Sequence, residues 1–442
     1  MNLTLLKNAK IVNENSIFEA DLRINKGRIE RIEKHLNAQP NEQVIDLQGD
    51  WLLPGMIDDQ VHFREPGLEW KANIASESRA AVAGGITSYM EMPNVNPATT
   101  NHAALRHKRD IAAANSLANY AFYLGATPDN LDQIKACDPK TVCGVKVFMG
   151  ASTGDLLVEH PAALEAIFKE CPTLIATHCE KGDIIANNLK GLANRPLTIH
   201  DHPIIRDVEA CYASSSYAVN LAKKYSSDLH VLHITTAKEL TLFEAGPIDN
   251  KHITAEACVH HLWFNQDDYT RLGNLIKCNP AIKSEYDRLA LLNALNDGRI
   301  DIIATDHAPH TWQEKQVPYS DAPAGLPLVQ HALLSLFDQV KRGTLTIEQV
   351  VEKTAHNPAK RFKINERGFI REGYFADLTV VSNNASEAVT HDNTHYHCAW
   401  SPFAGHQFSY SIRYTFVNGQ CVYNHGDIID DTTSAMPLIF NR

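Results

Sequence analysis

The chain has 442 residues, of which 44% are hydrophobic and 21% are charged. These are values of an ordinary globular protein with enough length for one large domain or two. Its formal net charge of -11 argues against a nucleic-acid-binding surface. Nine cysteines without a Cys-x-x-Cys pair indicate reduced thiols in a cytoplasmic protein. We find no signal peptide and no run long enough to span a membrane.

Both ends of the chain are predicted to be rich in β-structure. Residues 4–50 contain short strand patterns, and residues 21–32 form a hairpin pattern around Lys26-Gly27. The tail has a strand pattern at residues 377–382 and a second hairpin pattern around Gly419. We therefore predict a small β-sandwich domain that combines residues 1–54 with residues 366–442.

The middle of the chain, residues 55–365, alternates between short apolar strands and helical patterns. Helical patterns include residues 74–83, 103–114 and 207–224. A strand–helix alternation of this kind predicts an α/β fold with a (β/α)8 TIM-like barrel. A long polar loop at 311–324 is either a lid or a surface excursion. The eight candidate strands are 55–63, 86–92, 119–125, 143–149, 173–178, 229–234, 252–258 and 301–305.

The first of these strands carries the most informative motif, Pro54 to Gly67. Alternation along a strand predicts that Asp58, Gln60, His62 and Arg64 point the same way. An imidazole that can bind a metal then lies beside a guanidinium suited to a carboxylate. Gln60 stands where a second histidine would complete a chelating His-x-His pair, so the number of metal ions is open.

The other strands also end in side chains that can bind metals, transfer protons or form hydrogen bonds. They end at the edge where such barrels have their active sites. Lys146 lies in an apolar strand and is either paired with an acid or carboxylated to bridge two metals. Asp306 is either a metal ligand that moves a proton or a helix N-cap. In chain order the groups are Asn94, Lys146, His178, His233, then either His261 or Glu256, and Asp306.

Several other histidines are predicted not to be ligands. His200 and His202 precede a helix, and His395 and His397 lie near the tail. His230 is three positions before His233, so on a continuous strand it would face the other way. The tandem His260-His261 is ambiguous.

Over nearly its whole length the chain resembles the amidohydrolase superfamily and, within it, the dihydroorotases. The resemblance rests on nine segments in this order: 54–67, 91–97, 144–150, 177–180, 232–236, 277–280, 304–310, 357–360 and 400–403. It implies that His62 and Asp306 hold one metal and that His178 and His233 hold the other. Carboxylated Lys146 would lie between them.

The same resemblance implies a binding site for an anionic small molecule. Arg64 and Asn94 would bind the substrate carboxylate with help from His310, and Asn279 would line the ring pocket with the Ala324-Gly325 region. Because Gln60 replaces the first metal histidine, we expect one firmly bound Zn2+ and a second that is weak or absent.

The implied activity is that of a metal-dependent cyclic amide hydrolase. It is the reversible hydrolysis of the dihydroorotate ring amide to N-carbamoyl-aspartate in de novo pyrimidine biosynthesis, with Asp306 carrying the proton. Two alternatives stay open: a weak or inactive partner of aspartate carbamoyltransferase, and another cyclic amidase of the allantoinase or hydantoinase kind. Arg64 favours a carboxylated ring. We expect a homo-oligomer, a dimer, that binds neither nucleic acid nor membranes.

Overall fold

The computed structural model describes residues 3–150, 156–192, 194–430 and 435–442. The first two residues and residues 431–434 of the predicted small domain lie outside this range. The described strands are β1 (Thr4–Asn13), β2 (Ser16–Asn25), β3 (Arg28–Glu33), β4 (Gln43–Asp46), β5 (Trp51–Pro54), β6 (Met56–Val61), β7 (Ile86–Glu91), β8 (Asn119–Phe122), β9 (Leu124–Gly125), β10 (Val145–Phe148), β11 (Ile175–His178), β12 (Leu229–Val231), β13 (Ile253–Cys258), β14 (Ile302–Ala304), β15 (Leu378–Ser382), β16 (Glu387–Ala388), β17 (Gln407–Phe408), β18 (Ser411–Val417), β19 (Gln420–Asn424) and β20 (Asp427–Ile428).

Helices follow most of the strands in the middle of the chain. The described α-helices are α1 (Ile74–Ala83), α2 (His102–Asn115), α3 (Leu131–Lys135), α4 (Pro161–Glu170), α5 (Gly182–Gly191), α6 (His202–Ile205), α7 (Val208–Tyr225), α8 (Val259–Trp263), α9 (Tyr269–Leu272), α10 (Glu285–Asp297), α11 (Trp312–Lys315), α12 (Ala332–Lys341), α13 (Ile347–Val351) and α14 (Asn357–Phe362). Local sequence explains their starts. The Asn73 side chain accepts a hydrogen bond from the Ser76 backbone N–H in a capping box, and the Asp207 side chain accepts one from the Ala210 backbone N–H at the start of α7.

The central strands form a parallel barrel. β6, β7 and β8 pair in that order, and β9 to β14 pair in sequence order. β8 and β9 are two parts of one barrel strand that is interrupted at Tyr123. The ring closes where Val61 pairs with His307 and the His62 backbone N–H donates to His307 O at 2.7 Å. The predicted eight-stranded barrel is confirmed.

Burial on both faces explains why most barrel strands have mainly apolar sequences. Every residue of β6 and β7 is buried, as expected for parallel strands covered on both faces. One apolar cluster joins Ile57, Met90, Ala121, Ala176 and Ile302 from strands all around the ring. A second, larger cluster packs the barrel strands against the helices, so the barrel is a filled core.

Both termini contribute to a second sheet, as predicted. Its strand order is β20-β19-β18-β15-β5-β1-β2-β3, and β4 pairs with β1. The hairpin turns have left-handed backbone at Lys26-Gly27 and at Asn418-Gly419, a conformation in which glycine is favoured. A separate apolar cluster, which includes Leu6, Leu22 and Val380, fills this β-domain.

The remaining segments pack on the barrel. Leu438 and Phe440 join the apolar cluster inside the ring, and the Leu438 backbone N–H donates to Tyr120 O. Among the described residues, no helix combines the length and the apolar character needed to cross a membrane.

Candidate active site

A cavity of about 380 Å3 opens at the carboxyl ends of the barrel strands. This volume is in the range of small-molecule sites. The cavity is lined by every residue to which the family resemblance assigned a role in metal or substrate binding. Its lining consists of Gln60, His62, Arg64, Leu68, Lys71, Asn94, Lys146, Phe148, His178, His233, Asn279, Asp306, Ala308, His310, Pro323, Ala324 and Gly325.

His62 and Asp306 form one half of the polar cluster. His62 Nδ1 lies 2.8 Å from Asn94 Oδ1, and His62 Nε2 lies 3.0 Å from Asp306 Oδ1. If Nδ1–H donates to the Asn94 oxygen, Nε2 presents a lone pair to a carboxylate. Burial lowers the pKa of His62, although Asp306 opposes this effect. Two electron-rich atoms this close need a proton or a cation between them.

Gln60 adds a hydrogen-bond donor to the same carboxylate. Its Nε2 donates to Asp306 Oδ1 at 3.1 Å, which turns Oε1 towards the Cys258 thiol, 3.9 Å away. The amide therefore offers its NH2 group where a metal ligand would need a lone pair. This orientation disfavours metal binding by the Gln60 side chain.

His178 and His233 form the other half. His178 Nδ1 and His233 Nε2 are 3.0 Å apart. His178 Nε2 lies 2.9 Å from Glu180 Oε2, and Arg206 pairs with that carboxylate from behind. When Nε2–H donates to Glu180, the Nδ1 lone pair faces His233. Carboxylates that orient imidazoles in this way are typical of metal-binding histidines.

Lys146 lies in β10 with its side chain buried, and it lines the same cavity as both pairs. Within the described part of the chain, no hydrogen bond or ion pair engages its Nζ, which is 4.8 Å from the Phe148 ring centroid. Burial lowers the pKa of Lys146 to about 8, partly offset by Asp306 and Glu256. The alternative of a lysine paired with an acid is not what the structure contains.

Cationic groups line the same cavity. Arg64 Nε donates to Pro309 O at 3.0 Å, while burial lowers the pKa of Arg64 to about 10, so it stays charged at neutral pH. Lys71 Nζ lies 3.0 Å from His310 Nδ1. Since Lys71 donates to Nδ1, His310 Nε2 carries the proton and donates to Ala324 O at 2.9 Å. The Arg64 NH2 group, 3.1 Å from the same Nε2, is then left for a ligand.

The loop predicted as a lid or a surface excursion is fastened to the cavity wall. Lys315 Nζ donates to the carbonyls of Pro323 and Gly325, both at 2.9 Å. Gly325 has φ 139°, and a Cβ there would lie 2.4 Å from Ala308 O. Asn279 lies beside this wall, and its buried Oδ1 accepts no hydrogen bond from the described residues. That oxygen can accept an N–H group of a ligand.

Three site residues have left-handed backbone. The φ angles are 70° for Arg64, 41° for His233 and 50° for Asp306. Such conformations cost roughly 1–3 kcal/mol each for residues other than glycine, and they concentrate at functional sites. The strain is an independent indication that the positions of these side chains matter.

The donor set fits a zinc-type metal ion. The His62–Asp306 and His178–His233 pairs each bring two ligand atoms to 3.0 Å, with neutral imidazoles favoured by burial for His62 and His233. Nitrogen and carboxylate oxygen are ligands that Zn2+ prefers. Gln60 alone opposes this fit, because its NH2 group occupies Asp306 Oδ1.

Two expectations about neighbouring residues were wrong. Asp58 does not line the cavity, because its carboxylate accepts hydrogen bonds from the Thr305 backbone N–H and hydroxyl group. The pairing register of β6 with β7 is irregular, and β6 ends at Val61. Strand alternation therefore does not extend to Arg64. Neither His261 nor Glu256 lines the cavity at the end of β13.

The predicted non-ligands have other contacts. His202 hydrogen-bonds Tyr319 Oη at 2.9 Å and Cys278 O at 2.8 Å. His230 is fully buried below the cavity, where its Nε2 lies 3.1 Å from Asp59 Oδ2 and 3.6 Å from Glu256 Oε2. Neither residue lines the cavity.

Sequence reasoning missed Lys71, Glu180 and Arg206. Glu180 follows His178 by two residues, and this short spacing was an available signal. Lys71 and Arg206 lie in loops without periodicity, so nothing in the sequence pattern indicated that they approach the site.

The chain belongs to the amidohydrolase family, whose profile matches residues 51–422. Its relatives include a protein of Halobacterium salinarum named dihydroorotase, 34% identical over 90% of this chain and 93% of the relative. A protein of Solibacter usitatus named allantoinase is 31% identical over 97% of this chain and 95% of the relative. The structure of L-hydantoinase (dihydropyrimidinase) from Arthrobacter aurescens superposes with a TM-score of 0.94 at 25% identity, covering 99% of this chain and 100% of that one.

Proposed function

We propose that this protein is a dihydroorotase, which reversibly hydrolyses the ring amide of dihydroorotate to N-carbamoyl-aspartate in pyrimidine biosynthesis. The observation that carries the proposal is that two cations, Arg64 and Lys71, line the same cavity as the histidine and aspartate cluster. Lys71 is also paired with Glu314 at 2.8 Å, so Arg64 is the cation that is free to bind an anion. The reacting amide and the carboxylate of dihydroorotate lie on different parts of its ring. A site for this substrate therefore needs cations on one side and hydrolytic groups on the other.

The charge distribution of the chain supports an anionic substrate. The chain has a net charge of -11, so an anion is attracted only where cations are concentrated. The Arg64 guanidinium can donate two parallel hydrogen bonds to a carboxylate. The Asn94 NH2 group can add another, because its Oδ1 is engaged by His62. Neutral hydantoin and allantoin rings have no carboxylate for this wall.

We propose that His178 and His233 hold one firmly bound Zn2+, with a second, weaker position at His62 and Asp306. Lys146 would be carboxylated and reach both positions. Its lowered pKa makes a neutral amine accessible near physiological pH, and only a neutral amine reacts with carbon dioxide. When bound, zinc supplies a water of lowered pKa and polarises the ring carbonyl.

The residues of the chain complete the reaction. Arg64 and Asn94 hold the ring by its carboxylate, and His310 supports them through its contacts with Lys71 and Arg64. Asn279 Oδ1 accepts a ring N–H. Asp306 takes the proton from the attacking water and delivers it to the ring nitrogen as the amide bond breaks. Its Oδ1 lies within 3.1 Å of both Gln60 Nε2 and His62 Nε2, which keep the carboxylate in one orientation.

We also propose the cellular setting and the division of the chain. All nine cysteines are free, in keeping with a cytoplasmic protein. Residues 55–365 would form the hydrolase barrel, and residues 1–54 with 366–442 the β-domain. We expect a homodimer, and aspartate carbamoyltransferase is a candidate partner.

A substrate panel tests the proposal. Purified, zinc-loaded protein should hydrolyse dihydroorotate in preference to hydantoin, dihydrouracil and allantoin. Arg64→Met should lower kcat/KM for dihydroorotate by about 100-fold or more, since two charge-assisted hydrogen bonds contribute roughly 1.5–3 kcal/mol each. The neutral rings should lose much less.

The alternatives predict other results. Preference for a neutral ring would make the protein a different cyclic amidase, the alternative favoured by its hydantoinase-like structure. No turnover of any ring by the chain alone, and turnover only when aspartate carbamoyltransferase is added, would indicate an enzyme that depends on a partner. No turnover in either case would indicate a structural partner.

A further inference from the structure

A compact group of potential metal ligands lies next to the cavity but outside its lining. Cys258 ends β13, and His260 and His261 lie in α8, which follows at once. One ligand atom from each residue lies within 4.8 Å of those of the other two. All three side chains are buried, with His261 the most exposed at 3%.

The two imidazoles have nitrogen atoms without partners. His261 Nε2 lies 3.1 Å from Pro280 O and must donate to it, which leaves a lone pair on Nδ1. His261 Nδ1 and both ring nitrogens of His260 form no well-aligned hydrogen bond in the described part of the chain, although the Thr305 backbone lies near His260. Leaving a buried polar atom unpaired costs about 1–3 kcal/mol, so three at one place call for an explanation.

The imidazoles are also in the form that binds metals. Burial lowers the pKa of His260 to about 4, although Asp306 and the Thr305 backbone act against this, and it lowers the pKa of His261 well below the usual range. Both rings are therefore neutral at physiological pH. Their centroids are 3.9 Å apart, so their lone pairs can converge on one ion.

The thiol has an acceptor for its proton. Cys258 Sγ lies 3.3 Å from Glu256 Oε1, which accepts its hydrogen bond. On metal binding, the thiol proton would leave to solvent and the sulfur would bind as thiolate, with Glu256 remaining a carboxylate. A divalent ion, one thiolate and a nearby carboxylate then carry almost no net charge, as a buried site requires.

We propose that Cys258, His260 and His261 form a zinc site that is separate from the catalytic cavity. One sulfur and two imidazole nitrogens are ligands that Zn2+ prefers, and they exclude Mg2+ and Ca2+. Tetrahedral zinc bonds of roughly 2.0–2.3 Å place neighbouring ligand atoms roughly 3.3–3.6 Å apart. Movements of about 1 Å in the three side chains would bring their ligand atoms to that spacing. Gln60 Oε1 lies 3.9 Å from the sulfur.

Such an ion would act on the structure around the catalytic residues. It would join the end of β13 to α8 directly behind Gln60, whose other amide atom holds Asp306. The role we infer is structural, because none of the three ligands reaches the cavity lining.

Cobalt substitution of the full-length protein tests the site without measuring activity. Cobalt bound to thiolate gives an intense sulfur-to-metal charge-transfer band, which the sulfur-free catalytic cluster cannot produce. We expect this band in the unmodified protein, its loss in Cys258→Ser and one metal ion fewer per chain. Cys278→Ser is the matched control, because that thiol lies 3.7 Å from His261 Nε2, the nitrogen that points away from the site. It should keep the band.

A second measurement covers the case in which Cys258→Ser does not fold. A zinc-edge anomalous map of the unmodified protein should contain a peak within bonding distance of Cys258 Sγ. Absence of that peak, absence of the charge-transfer band, or a band that survives in Cys258→Ser would each overturn the proposal. Failure to hydrolyse dihydroorotate would leave these readouts untouched, so the two proposals fail independently.

Discussion

Replacing Gln60 by histidine should tighten the metal position at His62 and Asp306. In the unmodified protein the Gln60 NH2 group donates to Asp306 Oδ1 at 3.1 Å, so binding a metal there must first break a hydrogen bond to a carboxylate. A bond of this type contributes roughly 1.5–3 kcal/mol, which corresponds to about a 10- to 150-fold loss of metal affinity. Gln60→His removes the competing donor and adds an imidazole nitrogen, so the gain should be at least about tenfold.

The control is Gln60→Leu, which removes the donor without adding a ligand. It should recover only the part of the affinity that the hydrogen bond costs, and the difference between the two variants measures the added ligand. Stepwise Zn2+ titration of metal-free protein, against a competing chelator of known affinity, gives both values. The Cys258→Ser background keeps any sulfur-bound ion out of the count.

Two results would refute the reasoning about Gln60. One is a pair of equally tight metal sites in the unmodified protein. The other is an unchanged second step in Gln60→His, which would mean that the neighbouring ligands suffice.

Four further predictions concern single residues. Asp306→Asn should lose about 100-fold or more in turnover with its thermal unfolding retained, and a variant with over a tenth of the original rate would contradict its role. Lys146→Ala should lose metal affinity, and short carboxylic acids should partly restore metal binding and turnover; full metal content without them would argue against carboxylation. Lys71→Met should lower kcat/KM for dihydroorotate by about tenfold or more if its ammonium contacts the carboxylate, and an unchanged value would make it a support for His310 only. Burial lowers the pKa of His230, but Asp59 and Glu256 outweigh this effect and raise it from 6.5 to about 9. The protonated imidazole therefore stabilises the fold below pH 6.5, and this stabilisation is lost as the pH rises towards 9. The midpoint of thermal unfolding should fall over this pH range, and it should fall less in Asp59→Asn.

The barrel was predictable because its strands are buried on both faces. Such strands read as apolar runs, and each predicted strand overlaps the observed one, for example 252–258 against Ile253–Cys258. The cavity lining was predictable for a related reason. Parallel strands bring their carboxyl ends to one edge, so Lys146, His178 and Asp306 meet there although they are far apart in sequence.

Features that depend on loops and on side-chain rotation could not be predicted. Lys71 reaches the cavity from a loop with no periodic pattern. The Gln60 amide has two ends, and only its contacts with Asp306 and Cys258 decide which end faces the metal position. Asp58 was misplaced because alternation assumes a regular strand, and β6 is irregular.

The left-handed backbone of Arg64, His233 and Asp306 has a consequence for protein engineering. Together these conformations cost roughly 3–9 kcal/mol, which is comparable with the net stability of a typical domain. The rest of the barrel must therefore be more stable than a chain without this strain would need to be. A selection for heat resistance alone would favour variants that relax these three positions, and it would tend to discard the active site first. Thermostable variants of this protein are best sought by changes at the β-domain and the outer helices, with these three residues held constant.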